Sequence, residues 1–396
     1  MSSSHKRFKS IDTNLLHAGA IRPNIEDSVV TPIFQTSTYL TGGDRDYDDV
    51  RYVRCSNTPN HAVLHARIAA IESAESALVT ASGMAAITTA ILSIVKTGDH
   101  ILTQRCLYGG TQMFLNEDAK GLGIDHMPID LNDPSSWRKA LKPKTKLLYV
   151  ESISNPLMEV GDLKAIVAFA REHNLVTIID NTFPSPVNFR PIEIGFDLVV
   201  HSATKYLNGH SDIGAGAIVG SQARITKATK LLNHLGGMLD PHACFLLERG
   251  MKTMGLRVRQ QNQNALQLAQ FLSKRDEVSE VRYPGLSSDA GHKFAEKLFD
   301  GYGGMLAFYL KSDAMAEPFL NSVTIPLHAV SLGGVESLVV RPSRSSHAGL
   351  TAKEREALGV TDALIRVSVG IENIDELIED FSAALSMSHV KEAKRA

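Results

Sequence analysis

Lys205 lies in Ser202-Ala203-Thr204-Lys205-Tyr206, straight after the apolar run Leu198-Val199-Val200 and His201. Upstream, Asp180 closes a second apolar run, Val176-Thr177-Ile178-Ile179. A lysine amine at the end of a buried strand is costly unless it has a function or a partner. An amine and a carboxylate so placed suit a pyridine aldehyde cofactor. The amine forms a Schiff base with the aldehyde, and the carboxylate keeps the pyridine nitrogen protonated, which makes the ring an electron sink. Pyridoxal 5'-phosphate (PLP) is the cofactor of that description, and its phosphate and ring face need partners too.

Ser82-Gly83-Met84 offers the phosphate a landing place. A strand-like run, Ala77-Leu78-Val79, enters it and a helical pattern leaves it. Glycine lets the backbone approach, and a helix N-terminus presents unpaired N–H groups with a positive dipole end. Ser202 and Thr204 add hydroxyl donors. Tyr108, followed by Gly109 and Gly110, is a candidate to lie on the ring face. Each residue also has an ordinary reading. Lys205 fits a surface lysine, Asp180 a helix N-cap, Ser82–Met84 a plain strand-to-helix turn and Tyr108 a loop aromatic.

These residues need a scaffold. From about residue 68 to 220 the chain alternates helical and strand-like patterns. Met84 through Val95 and Leu163 to Glu172 carry helical spacing, while Ile101–Thr103, Leu147–Val150, Thr177–Ile179, Leu198–Val200 and Ala215–Val219 are short apolar runs. That pattern predicts a mainly parallel α/β sheet with helices on both faces, and sites in such sheets lie beyond the C-terminal strand ends. From Leu246 onward the pattern changes. A long helix at Phe245–Leu272 is followed by strands near Val278–Tyr283, Met305–Leu310 and Leu364–Val369, then a helix from Ile374 to Leu385, which predicts a smaller α+β domain. The expected division is an arm over 1–60, a large domain over 61–245 and a C-terminal domain over 246–396.

The 396 residues, 43% hydrophobic and 21% charged with net charge −2, allow a large core. They give no support for nucleic acid or an anionic membrane as partner. Cys55, Cys106 and Cys244 lack paired spacing, so neither a disulfide framework nor a metal site is expected, and a cytoplasmic location fits. No segment nears the about 20 apolar residues that cross a bilayer. The Ser-rich start is not a secretory leader, and it and the Lys391–Ala396 tail are expected to fray. Gly214-Ala215-Gly216-Ala217-Ile218-Val219-Gly220 misses the dinucleotide fingerprint by one residue and follows a polar stretch, which excludes that class.

The chain resembles the Cys/Met-metabolism PLP enzymes: cystathionine lyases and synthases, methionine γ-lyase and homoserine-ester sulfhydrylases. The resemblance rests on ordered motifs along nearly the whole chain. They are Thr31-Pro32-Ile33-Phe34-Gln35-Thr36-Ser37-Thr38, Ala81 to Ala86, Tyr108-Gly109-Gly110-Thr111, Glu151-Ser152-Ile153-Ser154-Asn155-Pro156, Asp180-Asn181-Thr182-Phe183, Ser202 to Gly209, Ser331 to Leu338, and Leu364 to Gly370. The resemblance implies an aspartate-aminotransferase-like fold (fold type I) with a seven-stranded large sheet. It implies that Tyr52 and Arg54 reach the phosphate in a neighbouring subunit, within a dimer of dimers. It also implies that Asn155 approaches the ring hydroxyl and the substrate carboxylate, and that Arg366 clamps that carboxylate with Ser331 nearby. Asn57-Thr58-Pro59 departs from the family's usual Asn-Pro-Thr and puts the local loop path in question.

The expected cycle has Lys205 release the cofactor to an amino acid, take its Cα proton, and shuttle it while Tyr108 assists the leaving group. Positions that separate subclasses carry Gly110, Leu332, Val335 and Val340 here, while Arg341 and Arg344 are candidates for a distal substrate carboxylate or plain surface charges. The resulting expectation is a carbon–sulfur lyase acting on cystathionine or a related thioether. The alternative is a γ-replacement enzyme, either cystathionine γ-synthase or O-acylhomoserine sulfhydrylase.

Overall fold

The computed structural model describes residues 7–41 and 50–393. Seven short strands form the large sheet: β1 (Ser76–Thr80), β2 (His100–Gln104), β3 (Asp125–Ile129), β4 (Thr145–Glu151), β5 (Val176–Asp180), β6 (Leu198–His201) and β7 (Gly216–Gly220). Their order is β1-β7-β6-β5-β4-β2-β3. Only β7 runs against its neighbours, pairing antiparallel with both β1 and β6. The expected sheet, parallel in the main, is the one found.

Strand alternation divides this sheet between two cores. Leu148, Val150, Ile179, Val199 and Val219 pack into one apolar cluster with Trp137, Ile166 and Phe169. Leu147, Tyr149, Ile178, Val200 and Ile218 face a second, with Ile87, Ile91 and Leu232. Successive side chains of a strand point to opposite faces, so a run that is apolar at every position must be covered on both. The helices Leu163–Glu172 and Gly83–Leu92 supply parts of those two covers.

A second sheet of five strands follows: β8 (Val278–Arg282), β9 (Met305–Leu310), β10 (Leu327–His328), β11 (Leu338–Val340) and β12 (Leu364–Ser368). Its order is β10-β11-β12-β9-β8, antiparallel except for the β10–β11 pair. Phe308, Phe319 and Phe381 meet in its core, the last from the final helix Ile374–Ala393. That helix runs past the expected end at Leu385, so residues 391–393 of the expected frayed tail are helical. Residues 1–6 and 394–396, on which the rest of that expectation falls, lie outside the described residues.

The long helix expected at Phe245–Leu272 is two helices, Pro241–Met251 and Met254–Leu272. The break has a packing cause. Gly250 presses against the Asn208 backbone, where a Cβ would overlap the Asn208 carbonyl. Buried Arg257 then donates from Nη2 to Gly250 O at 2.9 Å and to Tyr206 O at 3.0 Å. One guanidinium therefore satisfies a carbonyl freed by the break and anchors the segment that carries Lys205. Burial pushes Arg257 down to about 10, so it remains cationic at neutral pH.

Candidate active site

A cleft of about 480 Å³ opens beyond the C-terminal ends of β4, β5 and β6. Its walls include Ser82, Gly83, Met84, Tyr108, Glu151, Asn155, Asp180, Ser202, Thr204, Lys205, Ser331 and Arg366. Residues scattered over most of the sequence thus converge on one concavity, where open α/β sheets place their ligands.

Lys205 follows β6 by one turn and donates from Nζ to Ser331 Oγ at 2.6 Å. Burial, with the nearby Arg366 charge, pushes its amine down to about 8. Ser331 sits at φ +97°, a backbone conformation that costs a residue with a side chain energy, as residues at functional sites often do. Arg366, from β12, is buried and donates from Nη1 to Asn155 Oδ1 and from Nη2 to Ser331 O, both at 3.1 Å. Burial pushes it down to about 10.

Asp180 ends β5 and does not cap a helix. Its Oδ1 accepts from the Thr182 backbone at 2.9 Å, a local turn that fixes the carboxylate. Burial raises its proton affinity, opposed by the hydrogen bonds from Thr182 and by the charge of His201. Behind it, fully buried His201 Nε2 lies 2.6 Å from Glu72 Oε1. The same Glu72 oxygen accepts from Asn181 Nδ2 at 3.2 Å, and Asn181 Oδ1 accepts from Ser152 Oγ at 2.8 Å. The ends of β4, β5 and β6 are tied together beneath the cleft by this network.

The cleft wall also includes a helix start. Ser82 caps the helix Gly83–Leu92, its Oγ accepting from Ala85 N at 3.0 Å. First-turn N–H groups have no intrahelical partner, so they are available to an anion. A Cβ on Gly83 would stand 2.7 Å from Ser202 Cβ and 2.8 Å from its Oγ. Helix start and Ser202 hydroxyl are therefore as close as the backbone permits. Thr204 behaves differently: its Oγ1 donates to Ala215 O at 3.1 Å and accepts from Ala215 N at 2.9 Å. The Tyr108 side chain lies beside Gly110, on which a Cβ would come within 2.7 Å of the Tyr108 ring.

Tyr52 and Arg54 do not line this cleft. Both are exposed. Arg54 Nη1 donates to Asn233 O at 2.9 Å, and its guanidinium lies 5.7 Å from the Tyr52 ring centroid. Arg341 and Arg344 also stay outside the cleft. Arg341 donates to Asp362 O at 2.9 Å and pairs with Glu317 at 3.3 Å, while Arg344 is exposed.

Glu151 opens one of the family motifs but is given no role by it, and it lines the cleft. It ends β4, and its Oε1 accepts from Tyr108 N at 2.6 Å while Oε2 accepts from Asn155 N at 3.2 Å. The signal that marks Asp180, a charged residue closing an apolar strand, marks Glu151 after Leu147–Val150 and His201 after Leu198–Val200 equally well.

The donor set fits PLP: a depressed lysine amine, a buried carboxylate in the same cleft, and a helix start too tightly set for a Cβ. Similarity to known proteins agrees. Residues 12–386 match the family described as Cys/Met metabolism PLP-dependent enzyme. Cystathionine beta-lyase of Coxiella burnetii is 40% identical over 97% of this chain and 100% of its own length. Cystathionine gamma-lyase of Bacillus subtilis is 37% identical over 94% of this chain and 98% of its own. The crystal structure of cystathionine gamma synthase from Xanthomonas oryzae pv. oryzae in complex with cystathionine superposes with a TM-score of 0.93 at 34% identity. That match covers 96% of this chain and 99% of the other. A fold-type-I sheet, a cleft built for a phosphorylated pyridine aldehyde and these relationships make this chain a member of the Cys/Met-metabolism family of PLP-dependent enzymes.

Proposed function

We propose that this chain is a carbon–sulfur lyase of sulfur amino acid metabolism that cleaves cystathionine, or a related thioether amino acid, by β- or γ-elimination. The observation that carries the reading is the meeting of Lys205, Asp180 and Arg366 in one cleft of a chain related to cystathionine lyases.

In this reading Lys205 would anchor PLP covalently, Asp180 would pair with its ring nitrogen, and Tyr108 and Asn155 would hold the ring. Ser82, Gly83, Met84, Ser202 and Thr204 would surround the phosphate, Thr204 without a free hydroxyl proton to give it, since that proton goes to Ala215 O. Bound there, the cofactor supplies an electron sink for a carbanion at the substrate Cα. Arg366 presents a planar fork to the α-carboxylate, a geometry that suits two parallel charge-assisted bonds, with Asn155 and Ser331 at its sides. Lys205 Nζ, pushed down to about 8, has a neutral fraction near neutrality and takes the Cα proton. Loss of a Cβ sulfur substituent after that step is β-elimination, whereas removal of a Cβ proton as well permits γ-elimination. Lys205 is the proposed shuttle and Tyr108, which lines the same cleft, the proposed acid for the leaving sulfur.

Tyr52 and Arg54 serve the cleft of a second copy in this proposal, with the arm of residues 1–60 crossing to it in a dimer of dimers. Exposed Val29, Val30, Ile33 and Leu40 in that arm support an apolar partner surface. The two sheets support the proposed division into 61–245 and 246–396. The proposed location is the cytoplasm; among the described residues no helix is long and apolar enough to cross a membrane.

The purified protein should absorb in the visible, and borohydride should fix the cofactor to Lys205; a colourless protein that takes up no PLP would sink the proposal. Cystathionine should yield pyruvate by β-elimination or 2-oxobutanoate by γ-elimination. The likeness to a cystathionine gamma synthase supports a second reading, γ-replacement on O-acyl homoserines. That reading gains if no thioether yields either keto acid while sulfide-dependent replacement proceeds.

A further inference from the structure

We infer that Glu151 is a positioning residue for the proposed chemistry, holding Tyr108 and Asn155, which both line the cleft, in fixed relation. The inference rests on the function proposed above. Glu151 is only 4% exposed and lines the cleft. Its two oxygens divide their work: Oε1 accepts from Tyr108 N at 2.6 Å and Oε2 from Asn155 N at 3.2 Å. Its own N–H donates to Gln104 Oε1 at 2.9 Å, so backbone and side chain are both fixed.

The arrangement is electrostatically costly. Glu151 and Asp180 occupy paired positions on the adjacent parallel strands β4 and β5, and both are buried. Two carboxylates in neighbouring buried positions disfavour each other's charge, and an apolar residue would fill the same volume without that penalty. Two acceptor atoms on one side chain satisfy the two loop N–H groups at once, one oxygen to each. Tyr108 follows β2 and Asn155 follows β4, and neither amide is bonded within the sheet. The hold extends further. Asn155 Oδ1 accepts from Arg366 Nη1 at 3.1 Å, so Glu151 acts through Asn155 on the group proposed to bind the α-carboxylate.

Glu151→Gln separates this role from space filling. Glutamine has the same shape but one acceptor oxygen, and it turns an NH₂ toward the second N–H. The variant holoenzyme should keep its visible band and its attachment at Lys205. Its kcat/KM for cystathionine should fall roughly tenfold or more. Glycine carries an α-carboxylate but no Cβ group to lose, so its binding, read from the shift of the visible band, reports carboxylate capture without turnover. Its dissociation constant should rise by a similar factor. Values of both within about twofold of the parent would overturn the inference. If the variant does not yield folded holoenzyme, hydrogen exchange on the unaltered holoenzyme decides. The Tyr108 and Asn155 amides should be protected, and exchange at the rate of exposed amides would overturn it. Failure of the unaltered enzyme to release either keto acid would instead count against the proposed function, since the glycine and exchange readouts do not depend on turnover.

Discussion

Lys205 Nζ and Ser331 Oγ are 2.6 Å apart, a bond that joins the segment after β6 to the loop before β11. A hydroxyl that accepts from an amine favours its ammonium form, whereas burial and Arg366 oppose that form and hold Lys205 down to about 8. Ser331→Ala removes the favourable contact alone. The pH at which apoprotein Lys205 half-reacts with a carbonyl probe should lie near 8 in the parent, rising with pH because the neutral amine is the nucleophile. In Ser331→Ala it should fall by roughly one pH unit. An unchanged midpoint, measured by labelling and peptide mapping, would show that the bond does not govern the amine.

Gly83 predicts a different failure. An added Cβ would meet Ser202 Cβ at 2.7 Å, its Oγ at 2.8 Å and its Cα at 3.0 Å, so backbone must move. Gly83→Ala should destabilise the chain by about 1–3 kcal/mol, the usual cost of overpacking. It should also weaken PLP uptake, because the helix start and the Ser202 hydroxyl are driven apart. Denaturant midpoint and absorbance titration with PLP check the two effects separately. A cofactor affinity equal to the parent's would show that the phosphate does not sit between these groups.

The sheet was legible because its central strands are apolar at every position, as burial on both faces demands. Asp180 and Lys205 were legible because sheets of this kind place function at strand ends. β3 was not. It is an edge strand with Asp125, His126, Met127 and Pro128 largely exposed, so no apolar pattern marks it. The interruption at Lys252–Thr253 was hidden for another reason: it depends on Gly250 meeting Asn208 and on Arg257 reaching Tyr206, contacts between distant segments. Arg341 shows the limit from the other side. Its sequence position fits a distal-carboxylate ligand and a plain surface charge equally well, and only the fold shows its guanidinium bonded to Asp362 and Glu317.

Glu72 and His201 were invisible as a pair for the same reason, since the partners come from a helix end and a strand end far apart in sequence. Both are fully buried, and Glu72 also accepts from Asn181. Removing one partner leaves an uncompensated buried group, so His201→Ala should cost about 3–5 kcal/mol, read from chemical denaturation. Replacing both with apolar residues of similar volume should cost far less. Equal losses in the single and double variants would show that packing volume, not the polar pair, is what the site needs.

Arg366 offers the sharpest separation of binding from cofactor chemistry. Its Nη1 and Nη2 are held by Asn155 Oδ1 and Ser331 O, so the plane of the guanidinium is set before any substrate arrives. Arg366→Lys keeps a positive charge but replaces the fork with a point charge on a flexible stem. The cofactor should load as in the parent, because none of its proposed contacts is lost. KM for cystathionine should rise by roughly 10–100-fold, the worth of a charge-assisted hydrogen bond, with a smaller change in kcat. The split follows from the role: a group that grips the carboxylate equally before and during reaction alters binding rather than turnover. Steady-state kinetics on holoenzyme of verified PLP content measures it. A fall in kcat at unchanged KM would move Arg366 from substrate capture to the reacting centre.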